Sequence, residues 1–531
     1  MVDWHPEPEL VWLRDGTRSR EALREAGAAA WEAALDYLYD HAFERAMGEP
    51  PEHDALRARY FQPTGGEPGP APRDPSALAV ILDEWRARIA PHTLSAYHPR
   101  SFGYFTPPPL VASVAGEILS QVAQQGVDVW HAGPVGAFVE EEVVRWLCDL
   151  VGYGPGSFGL LTSGGVMANF IGLALARDVQ LARLRGTDAT RVPRPPRGRD
   201  LEGVRVYASE QTHFSIGRAL DELGFPPETL VVVPSDERFR LHAEPVARAI
   251  EADRATGLLP MAICAVAGST NTGSVDLVPE LAELARREDL WLHVDAAYGA
   301  AARLSARDAW RVPGTELADS VTVDPHKWLF QAYDIGGLVV RNGADLRTAF
   351  GGRSPEYYRG GDRLPAPSHP LPDEVDGLDE PAEPRQLNFY RLGFEGTRRW
   401  RALKLWFSWK HLGTAGLARL VEANIDLAAH LARRIAGSDD FEALPSAPEL
   451  SVVCFRHLPG GRDARRSLEA HDLDAHQDRL QQALEASGDG WLSTTRLRGA
   501  TYLRAGILNT QSTIADVDEL LTTLRRLAAE P

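Results

Sequence analysis

Val321-Thr322-Val323-Asp324-Pro325-His326-Lys327-Trp328-Leu329-Phe330 is the stretch on which the fold turns. A β-branched run ends in an acid, a proline, a histidine and a lysine, then returns at once to apolar residues. That pattern predicts a short buried strand running into a loop. Upstream, Trp291-Leu292-His293-Val294-Asp295-Ala296-Ala297-Tyr298-Gly299 has the same form, a strand delivering an aspartate. Parallel-sheet enzymes carry their chemistry at the carboxyl ends of strands, so Lys327 and Asp295 are expected together on one rim.

Outward from these two segments, β-rich runs alternate with helical stretches from about 110 to 345. Gly159–Thr162, Val204–Tyr207, Leu230–Val233, Ala262–Val266 and Gly337–Val340 join them as predicted strands. This alternation predicts an α/β fold, a mainly parallel sheet with helices on both faces. Residues 1–90 read as an N-terminal helical segment, 91–395 as a large domain, and 396–531 as a small C-terminal α+β domain. In the last, two helices precede the order strand, strand, helix, strand, strand, helix. Pro63 to Pro75, Arg185 to Arg199 and Gly360 to Pro384 have the composition of loops.

The totals narrow the function. At 531 residues the chain needs more than one structural region, and its 44% hydrophobic and 24% charged content is that of a globular protein. A formal net charge of −18 disfavours nucleic acid as a partner. No apolar run approaches bilayer length and no secretory signal is visible, so no membrane association is expected. Three widely spaced cysteines suit a reducing cytoplasm rather than a disulfide framework or a zinc site.

The chemistry-bearing residues converge on one cofactor. Lys327, between an apolar strand and Trp328-Leu329-Phe330, is expected to be desolvated, which lowers a lysine's pKa and favours the nucleophilic amine. Asp295 is followed by small residues that leave room for a planar ring. Thr162-Ser163-Gly164-Gly165-Val166-Met167-Ala168-Asn169 follows a strand and opens a helix, whose free amides suit a phosphate. His213 and the segment from Thr270 to Asp276 arrive at further strand ends. A phosphate turn, a carboxylate and an amine in this order along the chain fit pyridoxal 5′-phosphate.

With these motifs the chain resembles the group II pyridoxal-phosphate-dependent amino-acid decarboxylases, the aromatic-L-amino-acid and glutamate decarboxylase group, over roughly 90–525. The resemblance implies a type I pyridoxal-phosphate-dependent transferase fold with a seven-stranded sheet, and a homodimer with active sites at the subunit interface. It implies that Lys327 attaches the cofactor and Asp295 pairs with its ring nitrogen, with His213 and Ala297 on the two ring faces. Gly165, Val166, His326 and Asp324 then fall near the phosphate, Thr270 and Asp276 near the ring substituents, and Arg398 pairs with Asp276. The chain departs from relatives at Val166, often a hydroxyl residue, and at Asp324, often Asn in aromatic enzymes. A loop tyrosine acts as proton donor in the family; here Tyr357 aligns best, with Tyr358 as the other candidate. A tyrosine there favours simple decarboxylation over oxidative aldehyde formation.

Ser101-Phe102-Gly103-Tyr104-Phe105 resembles the segment lining the side-chain pocket, and its aromatics suit an aromatic or large apolar amino acid. The expected reaction is decarboxylation of an L-amino acid to the amine and CO₂. Alternatives of the same fold are a transaminase, with Arg504 binding a carboxylate, and a decarboxylating aldehyde synthase. A metal hydrolase would instead use His293, Asp295 and His326.

Overall fold

The computed structural model describes residues 16–46, 53–62, 67–187, 196–351, 387–464 and 470–530. Strands β1 (Phe158–Thr162), β2 (Val204–Ser209), β3 (Leu230–Val233), β4 (Leu259–Val266), β5 (Trp291–Asp295), β6 (Ser320–Val323) and β7 (Gly336–Val340) build a 7-stranded sheet in the order β1-β7-β6-β5-β4-β2-β3. The pairs from β6 through β5, β4 and β2 to β3 are parallel. Only β7 is antiparallel to its neighbours, so β1 runs with β6. This is the type I pyridoxal-phosphate fold.

The strands are continuous apolar runs because helices cover both faces and leave no solvated side. Leu161, Val206, Ile263, Val294, Val321 and Leu338 are all fully buried. Each such side chain contributes roughly 1.5–3 kcal/mol by leaving water. The directions of the strands bring the carboxyl ends of β1, β2, β4, β5 and β6 to the same edge. In register, Asp295 stands beside Val266 on one side and Thr322 on the other.

The chain forms two compact units. One comprises residues 105–455 with 506–510, and the other the residues up to 104 with 456–505 and those from 511 onward. These units cut across the divisions expected at 90 and 395. Within the second unit, N-terminal and C-terminal segments interlock: the Phe102 amide donates to the Trp491 carbonyl at 2.9 Å, and the Ala46 amide to that of Gly488 at 3.0 Å.

The C-terminal elements occur in the expected order. The Ala402–Ala436 helix is broken at Gly413 (φ 64°), so it is two helices in effect. Strands β8 (Phe441–Ala443) and β9 (Val452–His457), the Ala470–Ser487 helix, strands β10 (Ser493–Leu497) and β11 (Ala500–Gly506), and the Ile514–Ala529 helix follow. The β10–β11 hairpin turns on Arg498 and Gly499, both at positive φ as a two-residue hairpin turn requires. Among the described residues, no helix is long and apolar enough to cross a membrane.

Candidate active site

The strand ends surround a cavity of about 380 Å³. From β1 and the Gly165–Leu175 helix come Ser163, Gly164, Gly165, Val166, Met167 and Asn169; from the end of β2, His213 and Phe214. Val266, Gly268 and Thr270 follow from β4, Asp295, Ala297 and Tyr298 from β5, and Asp324, His326 and Lys327 from β6. Every expected cofactor contact except Asp276 therefore lines one space.

The Lys327 Nζ lies 3.1 Å from Asp324 Oδ2 and 5.8 Å from the centre of the Phe105 ring. Burial pushes its pKa down, but the charges of Asp324 and Asp295 and the Asp324 hydrogen bond outweigh that, and the net shift is upward. The expectation that desolvation lowers this pKa is thus reversed, because two carboxylates flank the amine.

Asp295 is held by both oxygens: Oδ1 accepts from the Ala297 amide at 3.1 Å and Oδ2 from Asn169 Nδ2 at 2.8 Å. Sequence reading quoted Asn169 in a motif but gave it no role. Its signal, a buried amide one helical turn past the glycines, carries no meaning until β5 is placed beside it.

His213 Nδ1 accepts the Ser215 amide at 3.3 Å and lies 2.8 Å from Ser215 Oγ, which leaves the proton of the neutral ring on Nε2. Burial lowers its pKa, with Asp295 acting in the opposite sense. His326 likewise accepts the Ile335 amide at Nδ1, and its Nε2 lies 3.7 Å from Asp324 Oδ2. Burial lowers this pKa too, against the Asp324 charge.

An anion fits at the start of the Gly165–Leu175 helix. A Cβ on Gly165 would stand 2.7 Å from Asp324 Oδ2, and one on Gly336 2.7 Å from Asp324 Oδ1, so only glycine leaves this space open. The helix amides face it, as at other helix N-termini that take phosphate. Asp324 is 2% exposed, and its Oδ1 has no hydrogen-bond partner. The helix start, the lysine, the small Ala297 and the anchored Asp295 suit a phosphorylated ring aldehyde, and the Asp324 carboxylate is the one group there that opposes its phosphate.

Several expectations are corrected. Asp276 lies off the cavity: its two oxygens each accept a backbone amide, from Leu241 and Val266, at 2.7 Å. It pins the chain behind β4, and burial raises its pKa to about 7 despite those bonds. Arg398 pairs with buried Glu140, not Asp276, and its Nη2 also donates to the Leu161 carbonyl at 2.7 Å. Phe105 lines the cavity, while Phe102, Tyr104 and Arg504 belong to the other compact unit. No metal site assembles from His293, Asp295 and His326, since both ring nitrogens of His293 are engaged by Ser320 and Asn169. Among the described residues no cluster of metal-binding side chains occurs. Tyr357 and Tyr358 lie outside the described residues.

Comparison with known proteins gives the family. Residues 63–363 and 382–458 match the model of the pyridoxal-dependent decarboxylase conserved domain. An aromatic-L-amino-acid decarboxylase of Bacillus atrophaeus is 30% identical over 96% of this chain and 96% of its own. An L-2,4-diaminobutyrate decarboxylase of Acinetobacter baumannii is 28% identical, covering 82% and 81%. Among solved structures, Oryza sativa TDC with PLP and tryptamine superposes with a TM-score of 0.81 at 23% identity, over 98% of this chain and 99% of that one. The chain belongs to the pyridoxal-dependent decarboxylase family. It is a pyridoxal-phosphate-dependent enzyme of the amino-acid decarboxylase class, a carboxy-lyase.

Proposed function

We propose that this enzyme decarboxylates an aromatic or large apolar L-amino acid to its amine. The observation that carries this reading is the aromatic edge of the cavity, Phe105 and Tyr298, stacked at 4.4 Å between ring centres, with the fully buried Trp328 stacked behind Tyr298 at 4.7 Å. Planar side chains pack well against such a column. Among the described residues lining the cavity, Lys327 is the only lysine or arginine, so no second cation awaits an acidic side chain.

Bound pyridoxal phosphate supplies the electron sink for breaking the bond between Cα and the carboxylate. In this reading Lys327 would hold the cofactor, Asp295 would keep its ring nitrogen protonated, and His213, Ala297 and Thr270 would pack around the ring. The Gly165 and Val166 amides and His326 would hold its phosphate near Asp324, and Tyr357 would return a proton to Cα.

A panel of L-amino acids assayed for CO₂ and amine tests the substrate class. Phenylalanine, tyrosine or tryptophan should lead; a preference for glutamate or diaminobutyrate would overturn it. Tyr357→Phe is expected to lower amine formation and raise aldehyde with oxygen uptake. Unchanged amine turnover would remove Tyr357 from the reaction. We further take the enzyme to be a cytoplasmic homodimer, in keeping with three buried free cysteines and the exposed apolar face considered below.

A further inference from the structure

We propose that Asn169 is a positioning residue that sets the orientation of Asp295 and the proton positions of two histidines. The side chain is 1% exposed and uses its full hydrogen-bonding capacity. Nδ2 lies 2.8 Å from Asp295 Oδ2 and 2.8 Å from Ser215 Oγ. Oδ1 lies 2.9 Å from His293 Nε2 and 2.6 Å from Thr322 Oγ1. Turning the amide over would set its oxygen against a carboxylate, so the arrangement has one sense.

The direction of every neighbouring hydrogen bond follows. His293 must carry its proton on Nε2 to donate to Asn169, so its Nδ1 accepts from Ser320 Oγ at 2.8 Å. Ser320 Oγ in turn accepts from Trp291 Nε1 at 2.9 Å. Burial keeps the His293 ring neutral, with its pKa lowered to about 4 against the pull of Asp295. An oriented chain therefore runs from Trp291 through Ser320, His293 and Asn169 to Asp295, each member donating to the next.

On the other branch Ser215 accepts from Asn169 and so gives its own proton to His213 Nδ1, where the Ser215 amide also points. Asn169 thus supports both the carboxylate at the ring nitrogen and the histidine at the ring face. Chains of this kind hold a group in one geometry because breaking any link leaves a buried polar atom unpaired.

The inference rests on the assignment of Asp295 to the cofactor's ring nitrogen, and three variants of the holoenzyme separate the two claims. Asn169→Leu should lower kcat about 10- to 100-fold with KM little changed, as expected when a reacting group is slightly misplaced. It should also shift the pH dependence of the bound cofactor's visible absorbance at full occupancy, which a purely structural loss would not do. Thr322→Val, which removes one bond to Asn169 and is less disruptive to folding, should move both readouts the same way by a smaller factor. Normal kcat and an unshifted spectrum in both variants would overturn the role of Asn169. Asp295→Asn is the control. If it alters the spectrum while the other two do not, only the Asn169 proposal fails; if it too is silent, the Asp295 assignment fails with it.

Discussion

Asp324 is the residue whose chemistry most distinguishes this site. Its carboxylate stands against the start of the Gly165–Leu175 helix and beside Lys327, where a phosphate group is also expected. A carboxylate near a phosphate repels it, and little water is present to screen the charges. Asp324→Asn should therefore tighten pyridoxal phosphate binding by about tenfold, or ~1.4 kcal/mol, in equilibrium titration of the cofactor-free enzyme. The same carboxylate raises the Lys327 pKa. Attack on the cofactor aldehyde requires the neutral amine, so the rate of cofactor attachment should rise with pH. In Asp324→Asn that rise should move to lower pH, which stopped-flow absorbance would record. The lysine and its flanking acids were legible as residue types. The sign of the lysine's shift was not, because it depends on two distances.

At the scale of elements, the first residue of β7 packs against the phosphate turn. A Cβ on Gly336 would lie 2.4 Å from Gly164 Cα as well as 2.7 Å from Asp324 Oδ1. Overpacking at such a contact costs about 1–3 kcal/mol. Gly336→Ala should therefore weaken cofactor affinity by roughly 10- to 100-fold while leaving the far-ultraviolet circular dichroism intact. The strands themselves were readable, since a sheet covered on both faces demands continuous apolar runs. Their hydrogen-bonding partners were harder. Arg398 lies far along the chain from Glu140, and nothing in local pattern says that they, rather than Arg398 and Asp276, are buried together.

For the whole molecule, exposed apolar residues line one side of a helix. On the Val111–Ala123 helix, Val111 is 82% exposed and Ile118, Leu119 and Val122 fall on the same side, with Val135 and Phe138 also exposed. Single exposed apolar groups are ordinary, but a row of them along one helix suits a contact between copies. Light scattering after size exclusion should give twice the chain mass, and Ile118→Glu with Val122→Glu should reduce it to the mass of one chain.

Stability should also fall in acid. Burial lowers the pKa of His293 from 6.5 to about 4, so between those values the unfolded chain binds a proton that the folded one does not. Folding is thus favoured above pH 6.5 and weakened as pH drops through that window. His98 and His476, also lowered to about 4 chiefly by burial, act in the same direction. Melting temperatures between pH 7 and pH 4.5 would check the slope; a flat profile contradicts it.

The sequence by itself determined the sheet, the order of phosphate turn, aspartate and lysine, and hence the cofactor. Those are local signals: apolar runs that stop at charged residues and a glycine turn that opens a helix. Only the tertiary structure decided which residues share the cavity and which do not. Asp276 looks like a ligand in one dimension, yet backbone amides satisfy it away from the rim, while Asn169 becomes a hub only when β5, β6 and the Ser215–Glu222 helix close around it. A side chain's partners are set by what packs against it through space, and no spacing along the chain encodes that.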